Sequence, residues 1–327
     1  MRSLGSRRFD INDIDDRLQT LTIAVVGDVH DRWEYADEIA LKHLGVDLVL
    51  FVGDFGNESV PVVRQIAQLD LPKASILGNH DAWYTATEWG RKKCPYDRNQ
   101  ENRVQQQLDL LGQTHVGYRA LDFPELGLAV VGSRPFSWGG SKWRNSEFYR
   151  QWYGVTSFQE SIDRIVSVAT ETICDTLIFI GHTGPTGLGD LPEDPCGKDW
   201  EPRGGDYGDP DFEAAIDLVQ QSGKSIPLVT FGHMHHQLRH TKQQLRRCIH
   251  LSPQGTVYLN AANVPRIVST PTGTVRNFSL VSFQSGVVRQ INRVWVDENY
   301  KVIKQIWLYD RNAPIPVNSI NNLDGVG

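Results

Sequence analysis

The stretch Thr22-Ile23-Ala24-Val25-Val26-Gly27-Asp28-Val29-His30 decides how the rest of this chain is read. Its β-branched and apolar side chains follow one another without polar alternation, the pattern of a strand buried on both faces. The run stops at a glycine, and the next residue carries a carboxylate. Leu48-Val49-Leu50-Phe51-Val52-Gly53-Asp54 repeats the arrangement, and Gly78-Asn79, Gly181-His182 and Gly232-His233 close three further apolar runs in the same way. Each predicted strand therefore delivers a metal-ligand type of residue at its carboxyl end. Glycine permits a sharp turn and close backbone approach there, and the carboxyl edge of an open α/β sheet is where ligands collect.

The pattern predicts strand 21–27, helix 33–44, strand 47–52, helix 58–69 and strand 73–77, a regular βαβαβ beginning. Helix 98–111, strand 128–131, helix 160–173 and strand 176–180 follow. Residues 183–211, rich in Gly, Pro, Asp and Glu, exclude regular structure over most of their length, and loops this long are functional or disordered. Helix 211–222 and strand 226–231 lead to Gly232-His233-Met234-His235. Beyond it, 256–260, 277–283 and 287–296 read as antiparallel strands. The chain reads as one domain over 1–327, with an N-terminal extension at 1–20 and a loosely held tail at 311–327. It contains no internal repeat, low-complexity tract or heptad pattern.

Composition bounds the function. With 327 residues, 40% hydrophobic and 22% charged, the chain can bury a large core. A net charge of −6 argues against a long nucleic acid as substrate, since grip on a phosphate backbone calls for a basic surface. No run approaches the roughly 18 apolar residues of a membrane span. The amino terminus has positive charge with no apolar segment after it, so cytoplasmic residence is expected. Cys94, Cys174, Cys196 and Cys248 lie far apart without a C-x-x-C pair, which fits reduced thiols rather than a disulfide framework or zinc site.

In order, the blocks Asp28-Val29-His30, Gly53-Asp54, Gly78-Asn79-His80-Asp81, Gly181-His182 and Gly232-His233-Met234-His235 are D-x-H, G-D, G-N-H-D, G-H and G-H-x-H. This series resembles the calcineurin-like metallophosphoesterase superfamily. The resemblance implies a two-sheet sandwich flanked by helices in four layers, αββα, and a hydrolase of phosphoesters that works by attack of a hydroxide bridging two metals. It assigns Asp28, His30, Asp54 and His235 to one divalent metal and Asp54, Asn79, His182 and His233 to the other. Asp54 is the expected bridge. It places His80 toward the substrate, as phosphoryl stabiliser or leaving-group acid, with Asp81 orienting it. The chemistry is independent of the likeness: a phosphoester is shielded by its own charge, so a catalyst needs concentrated positive charge and a hydroxide at neutral pH, and two divalent metals supply both. Nitrogen and oxygen ligands without thiolate suit Mn, Fe or Zn, of which Mn is favoured here.

Departures narrow the substrate. Purple acid phosphatases of the superfamily place a tyrosine three residues after the shared aspartate, where this chain has Asn57; its protein Ser/Thr phosphatases read G-D-x-V-D-R-G, where this chain has Gly53-Asp54-Phe55-Gly56-Asn57-Glu58. A small phosphomonoester or phosphodiester, such as a nucleotide, is the expected substrate, against a protein phosphatase or a non-catalytic metal-binding scaffold. The wording of 134–140 and 204–210 looks most like uncharacterised cyanobacterial and plant-chloroplast members. His43, His115, His236, His240 and His250 match no family ligand position. The segment 183–211 begins at ligand His182 and carries Lys198, Trp200, Arg203 and Tyr207; it reads either as a substrate lid or as a solvated loop packed on the sheet edge.

Overall fold

Side chains alternate across a strand, so a strand buried on both faces must feed two cores. In the computed structural model, which describes residues 20–313, strand β1 (Thr20–Val26) does so: Ile23 and Val25 point into one cluster, Ala24 and Val26 into another. Helix α1 (Tyr35–His43), β2 (Leu48–Phe51), α2 (Val60–Ala67) and β3 (Lys73–Ser75) continue the series, with β1, β2 and β3 parallel. Helices α3 (Glu88–Lys93) and α4 (Arg103–Leu111) precede β4 (Ala120–Phe123) and β5 (Leu128–Gly132). Then come α5 (Ser146–Tyr153), α6 (Phe158–Thr170), β6 (Thr176–Ile180), α7 (Pro210–Gln221), β7 (Ser225–Phe231), β8 (Ile249–Leu251) and β9 (Val257–Asn260). The last strands are β10 (Ile267–Thr270), β11 (Gly273–Gln284), β12 (Val287–Val296) and β13 (Val302–Asp310).

They form two mixed sheets. One has the order β13-β12-β11-β1-β2-β3 with β10 on β11; the other runs β4-β5-β6-β7-β9-β8. Three buried apolar clusters mark three interfaces between layers. Ile23, Leu50 and Val52 of the first sheet meet Val130, Ile178 and Leu228 of the second. The outer face of the first sheet, including Val49 and Phe51, is covered by Leu41 of α1, Val63 and Ile66 of α2, Val104 of α4 and Phe148 of α5. The outer face of the second, including Val131, Phe179 and Val229, is covered by Ile165 of α6 and Phe212 and Ile216 of α7. Helix, sheet, sheet, helix is the expected αββα order.

Most predicted elements stand within a few residues of their expected bounds, and strand 176–180 matches without shift. One expectation needs correcting. Of residues 256–260, read as part of the closing antiparallel set, Val257–Asn260 form β9, which is antiparallel to β8 but parallel to β7 and lies in the second sheet, while β11 to β13 close the first. A bare apolar run says that a strand is buried, and nothing in it fixes the sheet it joins. Residues 1–19 of the expected extension and 314–327 of the tail lie outside the described residues. No helix among those described is long and apolar enough to cross a membrane.

Segment 183–211 has no helix or strand before α7 begins at Pro210, yet it is tied to the sheet. The buried guanidinium of Arg246 donates Nη1 to the carbonyls of Pro192, Asp194 and Gly197 at 2.8, 2.8 and 2.7 Å, and Nη2 lies 3.2 Å from Asp199 Oδ2. Asn260 Nδ2 donates to Pro195 O at 3.0 Å. A loop so held is a wall of the fold. Replacing Arg246 by Met leaves three carbonyls without their donor and the buried Asp199 carboxylate without its guanidinium, with the Arg239 backbone N–H at 3.0 Å and Nε at 3.9 Å remaining, and we expect it to lower the unfolding free energy in urea by about 3–5 kcal/mol; a change below about 1 kcal/mol would show that the loop is not anchored there.

Candidate metal centre

Residues from both sheets meet at one rim. Asp28 and His30 follow β1, Asp54 follows β2, Asn79 and His80 follow β3, His182 follows β6, and His233 and His235 follow β7. The turns are sharp enough that Asp28, His30, Asp54 and His233 all hold left-handed backbone, with φ of 50°, 45°, 54° and 67°. Such conformations cost non-glycine residues of order 1–3 kcal/mol each and persist only where the surroundings over-determine them. Here the loops are laced together: Asp28 N donates to Gly53 O at 3.2 Å, His30 N to Asp54 O at 2.9 Å, and Gly232 N to His182 O at 2.8 Å. Two of the preceding glycines are demanded by close approach. A Cβ on Gly78 would stand 2.3 Å from Asp54 Oδ1, and one on Gly232 would stand 2.2 Å from Asp28 Oδ2.

Donor atoms converge in overlapping sets. Asp28, His30 and His235 form one; Asp54, His182 and His233 form another; His30, Asp54 and His80 form a third, each with its ligand atoms within 4.8 Å of one another. His235 Nε2 lies 3.1 Å from His30 Nε2 and 3.4 Å from Asp28 Oδ1. Asn79 Oδ1 lies 2.9 Å from both His182 Nε2 and His233 Nδ1, and His182 Nε2 lies 3.2 Å from Asp54 Oδ1. Asp54 thus shares a set with His30 on one side and with His182 and His233 on the other. The seven residues expected as ligands from sequence are all here, and His43, His115, His236, His240 and His250 belong to none of these sets.

The charge balance of the site asks for cations. Burial alone would raise the Asp54 carboxyl, but the imidazoles of His182 and His80 overcome this and hold it well below the usual carboxylate range. Asp28 is likewise held low by His235 against burial. Burial would lower His182, but Asp54 and Asp28 push it up to about 9, while burial and the neighbouring His182 press His233 down to about 3. So a proton on His182 balances the carboxylates where a divalent cation could. His182 Nδ1 donates to Val52 O at 2.8 Å, which fixes the ring with Nε2 toward Asn79 and Asp54, the backbone support that metal-ligating histidines show. Nitrogen and oxygen donors without thiolate, in overlapping sets, fit two divalent ions of the Mn, Fe or Zn type.

His80 sits at the edge of the cluster, with Nε2 3.9 Å from Asp54 Oδ2 and its backbone N–H donating to Asp54 Oδ1 at 2.9 Å. Asp81, expected to orient its ring, does not do so. The partner of His80 Nδ1 is Asn57 Oδ1 at 2.5 Å. Asp81, fully buried, accepts instead from the backbone N–H groups of Gly78, Phe55 and Asp54 at 2.7, 2.9 and 3.0 Å. Both residues lie in the 3-10 turn His80–Ala82, where successive side chains are rotated by about 120° and cannot face the same way. Burial and the Asp54 charge push the Asp81 carboxyl up, and its amide donors act the other way. Asp81 therefore shapes the Asp54 loop.

Beside the cluster lies a recess of about 310 Å³, to which Trp200 and Tyr207 of segment 183–211 contribute together with Trp83 and Trp138. Lys198 and Arg203 do not line it, and Arg203 pairs with exposed Glu201 at 2.9 Å. Its cations are Arg144 and Arg239, which no motif in the sequence marks.

A family model for calcineurin-like phosphoesterases matches residues 21–237. Solved structures that the chain resembles include a dimetal phosphatase from Danio rerio (13% identity, 89% of this chain and 99% of that one, TM-score 0.45). A protein of Thermus thermophilus (10%, 89% and 100%, 0.45) and a purple acid phosphatase from yellow lupin seeds (12%, 89% and 54%, 0.42) are others. No curated protein matches. The expected nearness to cyanobacterial and chloroplast proteins finds no support in these comparisons.

Because His182 keeps its proton up to about 9 in the metal-free state, binding a cation through Nε2 must release it. Manganese added to metal-free protein at pH 7.5 should therefore liberate about one proton per chain from this site, read with an indicator dye, and affinity should rise with pH until about 9. Uptake with no proton release and no pH dependence would exclude His182 from the ligand set.

Proposed function

Because this chain belongs to the calcineurin-like phosphoesterase family, and is therefore a metal-dependent phosphoesterase, we propose that it hydrolyses a small phosphomonoester or phosphodiester, such as a nucleotide, at a dinuclear centre. Asp28, His30, Asp54 and His235 would hold one cation and Asp54, Asn79, His182 and His233 the other, with manganese favoured over iron and zinc. The observation that carries this reading is the position of Asp54, whose carboxylate shares one donor set with His30 and another with His182 and His233. Bound there, two divalent cations supply positive charge beside the phosphoryl oxygens and lower the pKa of water toward neutrality.

The chain's own groups do the rest. Asn57 Oδ1 accepts the proton on His80 Nδ1, an assignment made from the partner atom, and so leaves Nε2 facing the cluster. Burial lowers the proton affinity of this ring, and an anionic ester restores it. His80 Nε2 then carries a proton within reach of a phosphoryl or leaving oxygen. Asp81 keeps the Asp54 turn in place through its amide bonds. The recess of about 310 Å³ suits a small organic group better than a protein loop. The net charge of −6 speaks against a long nucleic acid, and four free cysteines agree with a reducing, cytoplasmic setting.

Three variants test the assignment. Asp54→Asn should lose both metals or leave them uncoupled, while His235→Ala mainly weakens one; near two ions per chain in both, by elemental analysis, would count against the shared carboxylate. His80→Gln should keep its metals yet lower kcat for p-nitrophenyl phosphate or bis-p-nitrophenyl phosphate by about 100-fold or more. Full turnover in that variant would remove His80 from the chemistry.

A further inference from the structure

The walls of the recess beside the cluster are built for more than a phosphoryl group. The His80 ring stacks on Trp83, centroids 4.4 Å apart and planes 12° from parallel, and Trp83 stacks on Trp138 at 5.4 Å and 19°. One aromatic series thus leads from the substrate-facing histidine away from the cluster. Trp200 and Tyr207 supply a second aromatic element, edge to face at 4.8 Å and 79°. All four of these tryptophan and tyrosine rings are only partly buried at a polar rim. Apolar rings left half-wet gain when a flat partner covers them.

Two arginines complete the lining. Arg144 donates Nη2 to the Tyr207 hydroxyl at 2.8 Å, and the Arg239 guanidinium lies 5.2 Å from the centre of the Trp200 ring. Arg239 Nε stands 3.9 Å from Asp199 Oδ1, but that carboxylate already meets the buried Arg246 at 3.2 Å. Both arginines are exposed and carry donor N–H groups available to a ligand. A planar guanidinium held against an aromatic ring is pre-oriented for phosphate oxygens. The cluster described above accounts for one phosphoryl group and leaves these two cations without a task.

We propose that the recess recognises a nucleoside phosphate whose base stacks on the tryptophan faces and which carries a second phosphate, beyond the one at the metal centre, held by Arg144 and Arg239. The inference rests on the phosphoesterase reading and narrows its substrate. Trp138 and Trp200 select the ring; Arg144 and Arg239 select the extra charge. Anchoring of segment 183–211 by Arg246 fixes Trp200 and Tyr207 before substrate arrives, which limits the ordering cost of binding.

The test uses the manganese-loaded full chain and measures competition by ADP, AMP and ribose 5-phosphate against whichever nitrophenyl ester is turned over. AMP should bind about tenfold tighter than ribose 5-phosphate, the scale of stacking one base on an aromatic ring. ADP should bind about tenfold tighter again, the scale of charge-assisted hydrogen bonds to one added phosphate. Trp200→Ala should erase the first step and keep most of the second, and Arg239→Ala the reverse. Inhibition constants within twofold of one another, or variants that weaken all three ligands equally, would overturn the proposal while leaving the hydrolase reading in place. If neither nitrophenyl ester nor ADP is turned over by protein that holds its metals, the hydrolase reading itself fails. Tryptophan fluorescence titration with ADP and with ribose 5-phosphate then decides the recess separately, since equal affinity for the two would overturn base recognition.

Discussion

Asp54 lies buried where β2 ends, 2% exposed, and an uncompensated carboxylate in that position would cost several kcal/mol. Much of the surrounding structure meets this one demand. The His80 backbone N–H donates to Oδ1, His182 Nε2 stands 3.2 Å from the same atom, and His80 Nε2 approaches Oδ2. Asp81, although itself an acid, contributes by holding the backbone N–H groups of Gly78, Asp54 and Phe55, so that the turn carrying Asp54 cannot relax. The left-handed conformations at Asp28, His30, Asp54 and His233 are local strain tolerated for the same end.

Because the donors come from both sheets, packing between the sheets sets the geometry of the site. Val52 shows the link in one residue. Its side chain lies in the apolar cluster between the sheets, and its carbonyl accepts the Nδ1 proton of His182, which arrives from the other sheet. A shift of one layer past the other would move His182, His233 and His235 against Asp28, His30 and Asp54. The close contacts that exclude any side chain at Gly78 and Gly232 show how little slack is left. Close packing of an interior transmits such shifts without damping them.

Much of this is legible in the sequence because burial on both faces and a glycine before each candidate ligand leave plain marks. The unbroken runs at 22–26 and 48–52 place β1 and β2, and the five ligand blocks supply the donors that the fold brings together. Short elements such as β8 and β10 carry too few residues for a period to show, and the partner sheet of β9 depends on contacts distant in sequence. The partner of His80 escapes the sequence for a related reason. Adjacency in Gly78-Asn79-His80-Asp81 suggests Asp81, whereas the turn points it inward and leaves Asn57, 23 residues earlier, at Nδ1. Lys198 and Arg203 stand out in the sequence because they share a loop with Trp200, but the cations at the recess come from 144 and 239, which only the folded chain brings there.

If one carboxylate, Asp54, joins two metal sites, anomalous X-ray scattering from crystals of the manganese-loaded protein will show it. Two anomalous peaks about 3.5–4 Å apart are expected, one against Asp28, His30 and His235, the other against Asn79, His182 and His233, with the Asp54 carboxylate touching both. A single peak in a protein active toward phosphoesters, or two peaks of which Asp54 touches only one, would contradict it.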